Sequence, residues 1–246
     1  PAVSLGEREQ FTQIGEPFSD EVTLADLNVR YDFGGAVLSS ITSYTKRDVL
    51  VVRDAGALTS SITGGSIGLP ESVYTHAPPD DATTAKVWTQ ELRLSGGKDR
   101  LSWVLGGFYS DTRRDYGQDL FVDGFTRLSG IPTRGLAAPT DVLYYSQLGY
   151  DLSQFAAFGE ATFQLDERFS LTGGLRYYDF NEDRTQIFDG IFGNDNNGAS
   201  LVSQPGSTDA SGVAPRLILS FKASDKVTLN AQAARGFRLG GINDPL

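Results

Sequence analysis

The chain has no cysteine and no methionine, one histidine and two tryptophans in 246 residues. Without cysteine, a disulfide scaffold, a thiolate zinc site and a thiol nucleophile are all excluded. A basic excess is missing too: 21 Lys and Arg stand against 31 Asp and Glu, for a net charge of −10. Nucleic acid is therefore not expected as a partner, because a phosphate-binding face needs concentrated positive charge. No run approaches the roughly 20 consecutive apolar residues of a membrane-spanning helix. The chain opens at Pro1, and no basic start precedes an apolar run, so no signal peptide is expected within it. With no methionine, it reads as a processed or partial product. A mean hydropathy of −0.22 makes a soluble acidic protein the first expectation.

What is present is apolar alternation of period two, the signature of strands. Phe155, Ala157, Gly159, Ala161, Phe163 and Leu165 share one face, opposite Phe158, Glu160, Thr162 and Gln164. After a turn at 166–168, Leu171, Gly173, Leu175 and Tyr177 oppose Thr172, Gly174, Arg176 and Tyr178. The same design returns with Val213, Pro215, Leu217, Leu219 and Phe221, a turn at 223–226, and Val227, Leu229, Ala231 and Ala233. Earlier hairpins run from 20–33 into 36–53 across Gly34-Gly35, and from 86–95 into 101–115 across 96–100. No segment sustains the i, i+3, i+4, i+7 spacing of an amphipathic helix, so the chain reads as all-β.

Connection lengths separate the possible β architectures. Short turns at 34–35, 96–100, 166–168 and 223–226 alternate with long polar connections at about 54–85, 116–150 and 182–210. A compact soluble domain seldom holds three structureless loops of about 30 residues. A transmembrane barrel does so by design, with short turns on one rim and long loops on the other. The strands read as about 10–17 residues, against a mode near 5–6 in soluble sheets and the 9–11 that a tilted strand needs to cross a bilayer. Tyr31, Phe33, Trp103, Phe108, Tyr109, Phe163, Phe169, Tyr177, Tyr178, Phe221 and Phe237 fall near strand ends, as interfacial girdles require. Negative hydropathy is then no obstacle, since half of each strand faces a polar lumen.

Several runs resemble the barrel of the TonB-dependent outer-membrane receptors. Thr89-Gln90-Glu91-Leu92-Arg93-Leu94 is similar to that family's TQELRL strand. Phe158-Gly159-Glu160-Ala161-Thr162-Phe163 and Leu171-Thr172-Gly173-Gly174-Leu175-Arg176-Tyr177 resemble its FGEATY…LTAGLRY hairpin. Pro215-Arg216-Leu217 and Ala234-Arg235-Gly236-Phe237-Arg238-Leu239-Gly240-Gly241 resemble its PRLSLSY…ARGFRSGG region, with Ile242 where the family often has Phe. The resemblance implies an antiparallel transmembrane β-barrel of 22 strands. Residues 1–246 would supply eight or nine of them, about two-fifths of the barrel domain, with no plug domain and no TonB box in this chain. It further implies a multi-pass protein of the Gram-negative outer membrane that is not an enzyme and imports a scarce ligand, foremost a ferric siderophore. Its partners would be the TonB complex, acting through the plug, and the lipid or lipopolysaccharide around the barrel. An oligosaccharide- or vitamin-importing receptor of the family and a passive porin-like barrel remain as alternatives, and a soluble β-sandwich binding module stands further off.

No residue set reads as catalytic. His76 stands alone in a polar loop beside Pro78-Pro79, and Glu91 and Glu160 are the inward charges a lumen is expected to carry. Asp80-Asp81 and Asp195-Asn196-Asn197 offer oxygens to calcium but lack the spaced ligands of an EF-hand, so they read as solvated turns. Gly64-Gly65-Ser66-Ile67-Gly68 lacks the strand-to-helix context of a phosphate loop. No cofactor and no metal are expected. The candidate ligand contacts are aromatics assigned to extracellular loops: Tyr74, Tyr116, Phe121, Phe125, Tyr144 and Tyr145.

Overall fold

The computed structural model describes Glu7 and residues 14–59, 79–133, 135–194 and 199–236. These form one antiparallel sheet of nine strands: β1 Phe18–Asp32, β2 Ala36–Val52, β3 Pro79–Lys98, β4 Leu101–Phe121, β5 Val142–Gln164, β6 Phe169–Asp189, β7 Val202–Ser203, β8 Gly206–Ser224 and β9 Val227–Ala234. Two short helices, α1 Gly56–Thr59 and α2 Phe125–Ser129, lie in connections. The long strands pair strictly in chain order, with the two-residue β7 added beside β6. β1 and β9 are not paired to each other, so the described sheet is an open wall rather than a closed barrel.

Turn chemistry sets one rim. Gly34, at φ +84, turns β1 into β2, and its N–H donates to the Asp32 carboxylate at 2.7 Å. Asp166 accepts the N–H groups of Arg168 and Phe169 at 2.7 and 2.8 Å, a side-chain turn that pins β5 to β6 and holds this exposed carboxyl below its usual range. At the opposite rim β2, β4 and β6 end and β3, β5 and β7 begin.

The strands are longer than the alternation indicates. β3 runs 20 residues, β4 21, β5 23 and β6 21. Segments expected in loops, among them 79–85, 116–121 and 142–150, are strand. The reason lies in what each half faces. From Leu101 to Tyr109, Phe155 to Phe163, Phe169 to Tyr177 and Val213 to Phe221 the register places apolar residues side by side on one face. That belt is about nine residues deep, the length a tilted strand needs to cross a bilayer. Its side chains are uncovered, with Leu105 and Leu175 each 56% exposed. So large an apolar surface is an aggregation liability in water and a lipid contact in a membrane. Farther along, the same face carries Lys46, Lys86, Asp111, Arg113, Asp151 and Asp183. Both faces are polar there, and the alternation disappears while the hydrogen-bonded ladder continues.

Aromatics mark both edges of the belt. Trp88 and Tyr109 rings sit 5.8 Å apart at its upper edge, beside Tyr44, Phe155 and Tyr177. At the turn edge Phe169 stacks on Phe221 at 4.6 Å and Tyr31 meets Phe33 at 4.7 Å. Phe108 and Tyr178 do not belong to these girdles, because the register turns both to the luminal face. Phe237 lies outside the described residues.

Candidate functional site

The luminal face carries the chemistry. At belt depth it holds Glu91 paired with Arg93, and Glu160 paired with Arg216 at 3.1 Å. Arg176 lies 5.9 Å from the Phe108 ring centroid and 6.0 Å from that of Phe158. A Cβ at Gly106 would collide with the Phe158 ring, so glycine there lets that ring lie flat on the wall. The two glutamates are thus each held by an arginine, and the geometry supplies an ionic, aromatic-lined wall rather than a carboxylate pair.

Above the belt the luminal face becomes richer in rings. Tyr116 donates its hydroxyl to Asp81 at 3.3 Å, and Asp81 pairs with Arg53 at 3.6 Å. Tyr144 shares this face and lies 6.4 Å from Phe188, centroid to centroid. Tyr145, one residue on, faces outward. Phe121 ends β4 at a register shift. Phe125 begins α2 and is fully buried, so it builds the rim instead of presenting a ring to a ligand. Of the six aromatics, Tyr116 and Tyr144 therefore share the luminal wall, on strands rather than loops, and Phe121, Phe125 and Tyr145 do not join them there. Tyr74 and His76 lie outside the described residues, as do Gly64-Gly65 and Asp195-Asn196-Asn197. Asp80 and Asp81 sit within β3 on opposite faces, not in a solvated turn.

The rim is a small folded unit of its own. Val122, Phe125 and Leu143 are fully buried together, with Leu120, Ile131 and Ile191 packed against them. Two aspartates tie this unit to the strands. Asp141 accepts the N–H groups of Gly124 at 3.1 Å and Thr126 at 2.8 Å, capping the first turn of α2. Asp189, the last residue of β6, accepts three consecutive N–H groups on one oxygen: Leu136 and Ala137 at 2.6 Å and Ala138 at 2.8 Å. The Asn194 amide reaches its other oxygen at 3.0 Å. Burial alone would push the Asp189 carboxyl up; the bonds from Ala138, Asn194 and Ala137 outweigh it and hold it down to about 2. Gly190, at φ +79, lets the chain turn directly after this anchor. Sequence reasoning misses both aspartates, although Asp189-Gly190 is itself a turn signal.

Antiparallel strands in chain order, with an outward apolar belt, aromatic edges and an ionic inner face, define the wall of a membrane-spanning β-barrel. The family model described as "TonB dependent receptor-like, beta-barrel" matches residues 4–245, and the chain belongs to that family. Among solved structures, the ferric yersiniabactin uptake receptor FyuA from Yersinia pestis superposes with a TM-score of 0.64 at 15% identity, over 87% of this chain and 28% of that one. The ferric-catecholate import receptor Fiu from E. coli K12 superposes with a TM-score of 0.58 at 12% identity, over 92% of this chain and 37% of its own. The siderophore receptor PiuA from Acinetobacter baumannii gives 0.56 at 13%, over 85% and 31%. At such identities the likeness is one of fold, and the chain spans roughly a third of each neighbour's length.

Proposed function

We propose that the chain is part of the barrel wall of a Gram-negative outer-membrane receptor that imports a scarce ligand, a ferric siderophore or related iron complex. Family membership across residues 4–245 carries this reading. Two features support it. The belt and girdles give the wall a bilayer's dimensions, and the luminal face above the belt combines tyrosines with arginines where an incoming ligand would meet the wall. The solved relatives named above are receptors for ferric complexes or siderophores, which favours iron over sugar or vitamin as cargo. The barrel would act as conduit and rim, with no covalent chemistry. Energy would come from the TonB complex acting on a plug domain outside residues 1–246.

The test uses the full-length receptor, with iron-limited cells expressing it or lacking it. Radiolabelled ferric siderophores should accumulate only in expressing cells and only with TonB intact. Uptake that persists without TonB would point to a passive pore. Accumulation of oligosaccharide or cobalamin, with no ferric complex taken up, would replace the iron reading with another cargo of the same family.

A further inference from the structure

Three luminal residues above the belt stand directly opposite one another on neighbouring strands: Arg114 on β4 faces Tyr150 on β5, and Tyr150 faces Arg184 on β6. Strand spacing sets the two arginine Cα atoms about 10 Å apart across the tyrosine. The Arg114 guanidinium lies 5.3 Å from the Tyr150 ring centroid and 5.7 Å from that of Tyr116. Three other luminal arginines are neutralised by acids, Arg47 by Asp20, Arg93 by Glu91 and Arg216 by Glu160, while Arg176 lies at belt depth near the Phe108 and Phe158 rings. Arg114 is exposed and has no carboxylate partner among the described residues. Its chain neighbour Arg113 faces outward, 3.7 Å from Asp111 and 3.6 Å from Asp151, so the two arginines serve different surfaces. Acids flank the row without pairing to Arg114. Glu182 stands two residues below Arg184 on the same face, and Asp81 is engaged by Tyr116 and Arg53.

A guanidinium held by phenol rings keeps its charge and its planar donor edge, the geometry that reads paired anionic oxygens. In a lumen with low-dielectric walls that charge is focused onto whatever passes. We propose that Arg114, set between Tyr116 and Tyr150, forms a wall subsite that selects an anionic ligand carrying its oxygens on a planar or aromatic frame. This deepens the import reading and rests on it for the ligand's path through the lumen. The site excludes neutral cargo of equal size by giving it nothing to offset desolvation of the cation.

The experiment is calorimetry on the full-length receptor in detergent with four probes: an anionic ferric tricatecholate, a neutral ferric trihydroxamate, an oligogalacturonate and a neutral malto-oligosaccharide. An anionic probe should bind, Arg114→Gln should weaken it by about tenfold or more, and added salt should weaken the wild type more than the variant. Arg114→Lys, which keeps the charge without the planar fork, should retain part of the affinity, and Tyr150→Phe should change little while Tyr150→Ala weakens binding. Binding of the acidic sugar without either iron complex would defeat the iron reading and leave the anionic subsite standing. Binding of the neutral ferric complex, unmoved by Arg114→Gln, would keep the iron reading and overturn the subsite. Failure of both anionic probes to bind would also overturn it. Intact barrel on unheated gels separates lost binding from lost folding for every variant.

Discussion

The two halves of the wall are built from the same strands and held by different forces. Among the described residues, the belt half has an uncovered apolar face and no buried cluster of large side chains, so its stability rests on the backbone ladder and on lipid. The rim half has a hydrophobic core, Val122, Phe125 and Leu143, and carboxylates satisfied by backbone N–H groups. One half is folded by its solvent, the other as a small water-soluble domain would be. Substitutions should therefore follow different rules on the two sides of Tyr109.

The largest effect is expected at Phe125. Replacing a fully buried Phe by Ala costs about 3–5 kcal/mol, and here the cost should stay within the rim. Phe125→Ala should raise amide exchange and protease cleavage across 122–141 and leave the barrel's heat-modifiability on gels intact. A lowered barrel melting temperature would show that rim and wall fold as one unit.

Next comes Leu105→Arg. Leu105 sits at mid-belt beside Leu94 and Gly159, facing outward. A cation at the bilayer midplane costs about 2–4 kcal/mol, so the variant should unfold at lower denaturant in lipid vesicles and assemble poorly. Wild-type stability in vesicles would remove lipid from that face.

How much is legible in the sequence follows from the same contrast. Where lipid on one side and lumen on the other enforce alternation, as from Phe155 to Phe163, the pattern alone yields strand, face and register. Tyr116-Gly117-Gln118-Asp119 shows no alternation, because water or lumen meets both faces, and so the upper strands from there on read as loops. That reading takes Tyr116, Tyr144 and Tyr150 off the wall, and Arg114, inside the expected strand 101–115, stands out only once cross-strand register places Tyr150 beside it. Phe125 stands out in the sequence only as an aromatic; its burial depends on Val122 and Leu143, and no short pattern announces that. Asp189 escapes notice because its three donors come from residues about fifty positions away.

Asp189 also gives the comparison a pH handle. Its folded pKa, about 2, lies below the ordinary aspartate value of 3.8, so the anchor contributes fully above about pH 4 and is lost as pH falls through 2. The shift corresponds to about 2 kcal/mol, to be read as proteolytic opening of 122–141 between pH 4 and 2. Asp189→Asn should open the same segment at neutral pH and remove the acid dependence. The belt should show no matching transition. A wild-type rim as closed at pH 2 as at pH 6 would relocate its fastening from Asp189 to the Phe125 cluster.

The smallest expected effect is the most discriminating. Gln147 lies on the outward face of β5, eight residues before Phe155, and is exposed. It points the same way as Leu105, so a rule based on facing alone would penalise Gln147→Arg as heavily as Leu105→Arg. If the apolar belt ends at the Tyr109 and Phe155 level, the arginine introduced by Gln147→Arg stands in water or among headgroups and costs about 0–1 kcal/mol. Denaturant midpoints of the two variants in the same vesicles measure the difference directly. Near-equal losses would extend the bilayer up the strands and place Arg114 at membrane depth, whereas a small loss at position 147 fixes the membrane boundary where the aromatics end.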